Sequence, residues 1–389
     1  MPVGAVPVGA VPVGTMPVGT GTGTVAVVSY RLGGSDGVSI EAAKWCGALT
    51  ELGFTVRTVA GSGKADRIVA GLAVGDVEPP DGAGLEAALS EADVVVAENI
   101  CSLPLNPRAS SAVVRALRGR PAVLRHHDLA WQRPGTAHLG PPPDDPAWTH
   151  VTVNRLSRRQ LAAAGIPSTT LYNRFDPAPP PDASRRTRAR RLASIDPAAL
   201  VVLQPTRAIE RKGVASGLRM ARALGGHFWL TGRAEEGYEP RLEALVRGAG
   251  VPVSRGVEDL SPELTVADAY AACDVVVLPS SWEGFGNPAL EGSMACRPVA
   301  VGDYAVGREL ERIGFSWLDA SDPAGVGHHL SDPVSRADCV ARNRRTAEDR
   351  FSLAGLAAEL SELLAKALPG GCRDDGGQGL DARRRTGVQ

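Results

Sequence analysis

The 389-residue sequence contains no run of 18 consecutive apolar residues, so it predicts no transmembrane helix. Its N-terminus also lacks the charged start and the continuous apolar core of a signal peptide. The formal net charge is only -1, whereas domains held to nucleic acid by whole-molecule electrostatics carry a clear basic excess. These absences argue against a membrane span and a nucleic-acid partner. Any anion must therefore be bound locally.

The six cysteines form no C-x-x-C pair and show no regular spacing. Zinc ligands and disulfide frameworks both leave such a spacing, so we expect neither, and a reduced, cytoplasmic setting follows. Aromatic residues are also scarce, at 4%, but hydrophobic residues make up 43% and charged residues 22%, which is close to an ordinary globular mixture. A chain of this length is too long for one ordinary domain and suits two.

Both ends of the chain are rich in residues that prevent regular structure. The first residues repeat the unit Pro-Val-Gly, and the last ones are rich in glycine and arginine. We therefore expect residues 1–23 and 369–389 to be disordered. A true start at Met16 is an alternative explanation of the repeat. We expect the function to lie between these ends.

Residues 24–175 alternate short apolar runs with helical patterns. The first run, Val25–Tyr30, leads through a glycine turn into a helical stretch from about Ser39 to Leu52. Further apolar runs follow at 54–59, 93–97, 122–125, 151–153 and 169–171. Strand, turn and helix open a doubly wound unit, and continued alternation predicts an α/β domain with a parallel sheet between helices.

A second series of the same kind occupies residues 198–368 and starts with the apolar run Leu200–Leu203. The proline-rich segment 176–182 cannot continue a helix or an inner strand, so we predict a linker at 176–197. We therefore predict two Rossmann-like doubly wound domains that face a central cleft, where ligands bind in this fold class.

A basic cluster follows the proline-rich segment. Such a cluster is more typical of a solvated helix face than of a nucleic-acid or anionic-membrane patch, and we favour the solvated face. Its members are Arg185, Arg186, Arg188, Arg190 and Arg191.

The most informative stretch runs from Trp282 to Glu291, after a buried apolar strand. Asn287 is a good N-cap and Pro288 suits the first helical position, so we predict that a helix starts there with its N-terminus facing the cleft. Exposed backbone N–H groups and the positive end of the helix dipole suit an anion such as a pyrophosphate.

Two glutamates and two glycines accompany this helix start. Gly284 and Gly286 let the backbone approach a ligand closely. Glu291 is expected to be ionised near the helix N-terminus, where it can accept hydrogen bonds from the two vicinal hydroxyls of a ribose. Glu283 lies on the other side of the anion site and could grip sugar hydroxyls. Ordinary surface charge and helix capping are the alternative for both glutamates.

The segment Glu283–Glu291 resembles the E-x7-E signature of the family-4 retaining glycosyltransferases, which have the GT-B fold. The resemblance extends over most of the ordered chain. It implies that Glu283 contacts the transferred sugar, that Glu291 binds the ribose, and that the residues following Glu283 contact the donor. Those donor-contacting residues are Gly284, Phe285, Gly286 and Asn287.

In that family an arginine and a lysine follow the first strand of the C-terminal domain and clamp the donor diphosphate. Arg207 and Lys212 match these positions. Both would neutralise the charge that grows on the leaving nucleoside diphosphate. The sequence shows no D-x-D motif of the kind that holds a metal-bound diphosphate in other glycosyltransferases, so we expect transfer without a metal ion or any other cofactor.

Three further glycine-containing segments resemble family features. Gly33 and Gly34 correspond to the glycine loop that faces the donor phosphates, although the full G-x-G-x-x-G spacing of a dinucleotide site is absent. Gly232 corresponds to a short glycine motif after a later strand. Val257 would lie near the nucleotide base.

The family usually has a histidine near the donor sugar and the incoming acceptor, and His126 or His127 could fill that place. The sequence does not separate the two. A metal site formed with Asp128 is a weaker alternative, because adjacent residues on a strand point to opposite faces. A packed or hydrogen-bonded histidine is a further alternative.

We therefore predict a retaining hexosyltransferase that uses a nucleotide diphosphate sugar and a hydroxyl acceptor. A sugar-nucleotide epimerase on the same architecture and a non-catalytic nucleotide-sugar-binding protein are the alternatives. UDP-glucose, UDP-N-acetylglucosamine and GDP-mannose all stay open as donors. The absence of a basic amphipathic helix favours a small soluble acceptor over a membrane lipid.

Overall fold

The computed structural model describes residues 23–34, 36–176, 180 and 182–368. The ends that we expect to be disordered lie outside these ranges, apart from Gly23, and so do residues 177–179 and 181 of the predicted linker. Among the described residues no helix is both long enough and apolar enough to cross a membrane. The cysteines in this part of the chain are all free thiols.

The first half of the chain forms a seven-stranded parallel sheet with helices on its two faces. Its elements are β1 (Thr24–Leu32), α1 (Gly37–Glu51), β2 (Thr55–Gly63), β3 (Arg67–Ile68), α2 (Gly82–Leu89), β4 (Val94–Glu98), α3 (Pro107–Leu117), β5 (Ala122–His126), β6 (Trp148–Thr152), α4 (Arg155–Ala163) and β7 (Ser168–Thr170).

The second half forms a six-stranded parallel sheet. Its elements are α5 (Ala183–Leu192), β8 (Val201–Gln204), α6 (Val214–Ala223), β9 (His227–Leu230), α7 (Glu239–Arg247), β10 (Val253–Arg255), α8 (Val266–Ala272), β11 (Val275–Leu278), α9 (Asn287–Met294), β12 (Val299–Val301), α10 (Ala305–Ile313), β13 (Leu318–Asp319), α11 (Pro323–Ser331), α12 (Pro333–Phe351) and α13 (Leu356–Ala367).

The strand order of both sheets is doubly wound. The first sheet has the order β3-β2-β1-β4-β5-β6-β7 and the second β10-β9-β8-β11-β12-β13. The chain therefore reverses its direction of winding between β1 and β4 and again between β8 and β11. Loops after strands at such switch points diverge and leave a crevice for ligands. The predicted fold class of two Rossmann-like α/β domains is confirmed.

Alternation along each strand builds two apolar layers per sheet. In β1, Ala26 and Val28 face the core formed with α2 and α3, whereas Val25 and Val27 face the core formed with α1. The central strands are apolar on both faces because helices cover both sides, as expected for parallel sheets. Both domains thus have a three-layer α/β/α architecture.

Helix α13 returns to the first sheet at the end of the chain. Leu356, Leu360, Leu363 and Leu364 lie in the same buried cluster as Trp45 and Leu49 of α1. Sequence order places this helix within the range 198–368 that we predicted for the second domain. Its packing instead makes it part of the layer that covers the first sheet.

The basic cluster lies on α5 and contacts the second domain. Four of its arginines form ion pairs there, to Asp268, Asp274 and Glu263. Arg190 is only 3% exposed and also donates to the carbonyl oxygens of Ala272 and Pro197. The cluster is therefore a helix face that attaches α5 to its own domain rather than a fully solvated face.

The returning helix provides a test of this packing. Leu360→Ala removes a side chain that is 1% exposed, so we expect the free energy of unfolding to fall by about 2–4 kcal/mol. Glu362→Ala on the exposed face of the same helix is the matched control and should change it by less than about 0.5 kcal/mol. Denaturant unfolding measures both. Equal effects for the two variants would contradict the packing.

Candidate active site

The predicted site residues follow the strands at the two switch points. Gly33 and Gly34 follow β1, and Arg207 and Lys212 follow β8. Glu283 lies in the loop between β11 and α9. Because the carboxyl ends of these strands face the cleft, residues far apart in sequence are brought to one region.

An ionic cluster of three residues lies at the centre of this region. The Lys212 Nζ is 2.5 and 2.6 Å from the two carboxylate oxygens of Glu283, and an Arg211 Nη1 is 3.4 Å from Oε2. Glu283 and Lys212 are only 8% and 7% exposed. The carboxylate therefore holds two cations in a mostly buried setting.

The charges in this cluster shift its pKa values. Burial alone would raise the pKa of Glu283, but the positive charges of Lys212 and Arg211 outweigh it and lower that pKa below its ordinary value. Burial lowers the pKa of Lys212, although the attraction of Glu283 opposes the shift. Glu283 is thus kept as an anion.

Arg207 lies apart from Glu283. Its Nη1 is 2.6 Å from the Glu235 carboxylate, and about a third of its side chain is exposed. Burial alone would raise the pKa of Asp36. Its hydrogen bonds with Ser39, together with the positive charge of Arg207, instead lower that pKa below its ordinary value. Asp36 caps α1 just after the glycine loop. The positive charge of Arg207 therefore acts on the residue that caps α1.

The backbone conformation of the glycine loop requires one of its two glycines. Gly33 has φ +69°, and a Cβ there would lie 2.6 Å from Cβ of Lys64. Gly34 has an ordinary φ, and both glycines are exposed. The backbone is accordingly open at this point, but contact with donor phosphates stays a prediction.

The helix start differs by one residue from the prediction. Helix α9 begins at Asn287, and Gly286, with φ +100°, is the capping residue. A Cβ at Gly286 would lie 2.6 Å from the Tyr304 hydroxyl, so glycine is required there. Asn287 is therefore not the N-cap that we predicted, because its side chain serves a different contact.

The Asn287 side chain reaches the other domain. Its Nδ2 donates to Oε1 of Glu41 at 3.0 Å, and its Oδ1 accepts from Nδ2 of Asn173 at 2.9 Å. Glu41 is 1% and Asn173 is 3% exposed. The start of the helix predicted to bind phosphate is thus attached to the first domain by two hydrogen bonds.

Glu291 has a protein partner and a pKa shift opposite to our expectation. It accepts a hydrogen bond from the Tyr270 hydroxyl at 2.7 Å. Burial raises the pKa of Glu291 above its ordinary value, although that hydrogen bond and the charge of Lys44 act against the rise. Burial therefore has the largest effect on this carboxyl. Its contact with a ribose stays a prediction.

The Phe285 ring packs inside the protein. It is 4% exposed and lies 5.9 to 6.3 Å, between ring centroids, from Tyr172, Phe175 and Phe351. The ring therefore stabilises the loop from behind. Only the backbone of Phe285 could contact a donor.

Gly284 lies where a loop of the second domain closely approaches a loop of the first. A Cβ there would be 2.3 Å from the His127 carbonyl oxygen and 2.8 Å from Asp128 Oδ1. The Gly284 carbonyl accepts from Nδ2 of Asn154 at 2.6 Å, and the neighbouring Trp282 indole donates to Asp128 at 3.3 Å. Only glycine permits this approach.

Gly232 and Val257 lie at the ends of neighbouring strands. A Cβ at Gly232 would lie 2.6 Å from the Arg207 Cα, so this glycine permits close packing behind the Arg207 loop. Val257 follows β10 and is 8% exposed within the core of the second domain. These positions are compatible with the predicted nucleotide contacts but leave them untested.

The two histidines have different surroundings. His126 is fully buried, and its Nε2 is 2.9 Å from Nδ1 of His150. The His127 ring hydrogen-bonds Glu98 at 2.7 Å, and the carbonyl of the same residue meets Gly284. His127 is therefore the histidine at the cleft. His126 is a hydrogen-bonded core residue.

The weak metal alternative receives no support from these side chains. The His126 ring, the His127 ring and the Asp128 carboxylate each bind a different partner, respectively His150, Glu98 and Arg133. Across the described part of the chain, no three or more histidine, cysteine, aspartate or glutamate side chains are arranged to hold a metal ion.

Three residues at the site were not predicted from the sequence. In the sequence Arg211, next to Lys212, cannot be told apart from an ordinary surface charge. Its contact with Glu283 is what identifies it as a site residue. Glu98 is the last residue of β4 and Asn99 directly follows it, at the switch point. A polar pair at the end of a buried strand was the available signal. Asn99 also has φ +61°, which a sequence does not reveal.

Comparison with known proteins gives a family match and several relatives in sequence. Residues 206–329 match the family described as glycosyl transferases group 1. A mannosylglucosylglycerate synthase of Thermotoga maritima is 26% identical over 370 residues, covering 77% of this chain and 85% of that protein. A D-inositol 3-phosphate glycosyltransferase of Thermobispora bispora is 36% identical over 133 residues, 33% of this chain and 31% of that protein.

Solved structures share the fold. Anabaena HepE in complex with UDP-glucose has a TM-score of 0.66 at 17% sequence identity, covering 88% of this chain and 100% of that chain. WaaG, a glycosyltransferase involved in lipopolysaccharide biosynthesis, has a TM-score of 0.63 at 16% identity, covering 87% and 99%. These structures confirm the GT-B fold. The family match and the sequence relatives do not favour the epimerase alternative.

The Gly284 contact can be tested without a substrate. Gly284→Ala places a methyl group against the His127 carbonyl, so the two loops must separate, and we expect a loss of about 1–3 kcal/mol in the free energy of unfolding. Faster hydrogen exchange should be confined to these loops. Gly75→Ala, where a Cβ meets nothing within 4 Å, is the control and should change little. A stability equal to that of the control would contradict the close approach.

Proposed function

We propose that this chain, whose residues 206–329 match the glycosyl transferases group 1 family, acts as a family-4 retaining hexosyltransferase. The donor is a nucleotide diphosphate sugar and the acceptor carries a free hydroxyl. The observation that carries the proposal is the buried Glu283 carboxylate, held by Lys212 and Arg211 beside the start of α9.

These groups suit the two ends of a donor sugar phosphate. The ionised Glu283 can accept hydrogen bonds from hydroxyls of the hexose. Lys212 and Arg211 supply positive charge, and the positive end of the α9 helix dipole adds to it. When the diphosphate leaves, negative charge grows next to these cations, which is where preorganised electrostatics lowers the barrier most.

The proposed reaction balances without a strong protein base. The bond between the anomeric carbon and the diphosphate oxygen breaks, and the acceptor oxygen attacks from the same face. The acceptor proton passes to a phosphate oxygen of the leaving diphosphate. Closure of the cleft excludes water that would otherwise hydrolyse the donor.

We propose that transfer needs no metal ion. Arg207, Arg211 and Lys212 all follow β8 and can together neutralise a diphosphate. Arg207 has the most exposed side chain of the three, and its charge acts on Asp36 beside the glycine loop. We therefore propose that Arg207 contacts the donor diphosphate from the side of that loop.

We also propose a small, hydroxyl-rich acceptor with an acidic group, used in the cytoplasm. The names of two relatives contain glycerate and a phosphate, which are acidic groups. On the first-domain side, Arg133 is partly exposed, and its ion pair to Asp128 places it near Trp282. We propose that Arg133 binds the acidic group of the acceptor, because other cations, those that follow β8, neutralise the donor diphosphate.

The central test is Glu283→Gln. Because the amide cannot hold Lys212 and Arg211 as the carboxylate does, we expect kcat to fall by about 100- to 1000-fold. Assays with UDP-glucose, UDP-N-acetylglucosamine and GDP-mannose, followed by mass spectrometry and NMR of the product anomer, measure transfer and retention. Glu243→Gln is the control, because this partly exposed glutamate on α7 is also paired with an arginine, Arg255.

Unaltered transfer kinetics in Glu283→Gln would exclude the assigned role. An inverted product anomer would contradict retention. Consumption of the nucleotide sugar without an acceptor would instead indicate an epimerase, and donor binding without transfer or slow hydrolysis would indicate a binding protein.

Chelation tests the proposed absence of a metal. We expect full activity after exhaustive EDTA treatment, because protein cations neutralise the leaving group. A Mg²⁺-dependent enzyme treated in parallel verifies that chelation is complete. Activity that is lost and then restored by Mg²⁺ would refute the proposal.

A further inference from the structure

His127 is held at two points by residues that end the neighbouring strand β4. The backbone N–H groups of His127 and Asp128 donate to Oδ1 of Asn99, at 3.0 and 3.2 Å. The ring Nε2 lies 2.7 Å from Oε2 of Glu98. Asn99 thus fixes the main chain of His127, and Glu98 fixes its ring.

Glu98 cannot turn away from this contact. It is 0% exposed, and its other oxygen accepts from Nη1 of Arg125 at 3.1 Å. Arg125 is itself held by Asn173 Oδ1 at 3.0 Å and lies 4.3 Å above the Trp45 ring. A side chain held in this way has one available position.

Glu98 carries a negative charge in this setting. Burial alone would raise the pKa of Glu98, but the Arg125 charge and the hydrogen bond from His127 outweigh it and lower the pKa below its ordinary value. An ionised carboxylate only accepts hydrogen bonds. The proton in the contact therefore belongs to Nε2 of His127.

The second ring nitrogen is then left to act as an acceptor. Within the described residues, Nδ1 of His127 has no hydrogen-bond partner and is not among the fully buried polar atoms. The adjacent His126 differs, because its ring is enclosed and bonded to His150. The His127 carbonyl meets Gly284 of the second domain, so this residue lies at the cleft between the domains, and its side chain is 9% exposed.

We propose that Glu98 is a positioning residue that holds His127 with its proton on Nε2, so that Nδ1 accepts a hydrogen bond from a sugar hydroxyl. The inference rests on the proposed hexosyl transfer. His127 is the residue that contacts the substrate, and Glu98 acts only through it.

The same network extends to the second domain. Asn173 binds both Arg125 and Asn287, and Glu41 binds Arg125 at 3.4 Å and Asn287 at 3.0 Å. The start of α9 therefore contacts the residues that support Glu98. Closing the cleft and fixing the His127 ring involve one connected set of hydrogen bonds.

The position of the proton can be read without any activity. In ¹⁵N-histidine-labelled protein, His127 is assigned as the signal lost in His127→Gln. We expect a protonated Nε2 and an unprotonated Nδ1, and Glu98→Gln should mix the two tautomers, because an amide can either accept or donate. A proton on Nδ1 in the unsubstituted protein would overturn the proposal, whatever reaction the enzyme catalyses.

Kinetics of a double-mutant cycle separate positioning from a structural role. Glu98→Gln should lower kcat by about ten- to a hundredfold, the range for losing a hydrogen bond to a charged group, with little change in donor KM. Glu98→Asp, which keeps the charge, should recover part of that loss. In a His127→Ala background, Glu98→Gln should cost nothing further. Equal losses in both backgrounds would refute the proposal.

Discussion

The cleft depends on the contact between two loops, one from each domain, at the His127 carbonyl and the Gly284 backbone. This approach is possible only because residue 284 has no side chain. It places the Trp282 indole on Asp128 and the Gly284 carbonyl on Asn154. The loop assigned to donor binding and the first-domain loop assigned to the acceptor side are therefore in direct contact.

Charge balance on the two sides of this boundary follows the same physical rule. A buried carboxylate is tolerated only when cations and hydrogen bonds replace its lost water. Glu283 has Lys212 and Arg211 in the second domain, whereas Glu98 has Arg125 and the His127 ring in the first. The two arrangements differ in exposure. The Arg125 side chain is 0% exposed, which suits support, whereas that of Arg211 is 22% exposed, which suits contact with a ligand.

The fold, and the strands that the main site loops follow, could be predicted from the sequence, because both depend on the order of strands and helices along the chain. Strand β8, Val201–Gln204, lies within one residue of the apolar run Leu200–Leu203, and the loops with Arg207, Lys212 and Glu283 follow the expected strands. Contacts between distant segments were not predictable. The separation of His126 from His127, the attachment of Asn287 to Glu41 and the return of α13 all depend on which elements become neighbours in space.

The return of α13 bears on how the domains move. The chain passes between domains near Phe175 and again near Phe351, and these crossings bind each other: the Phe175 N–H donates to the Phe351 carbonyl at 2.7 Å, and the Leu353 N–H donates to the Phe175 carbonyl at 2.8 Å. Phe285 packs against both of these phenylalanine rings. A rotation of one domain against the other would bend the two crossings together. Because the Phe285 ring packs on both crossings, the loop that carries Glu283 is coupled to them by packing, while Asn287 couples it to the first domain by hydrogen bonds.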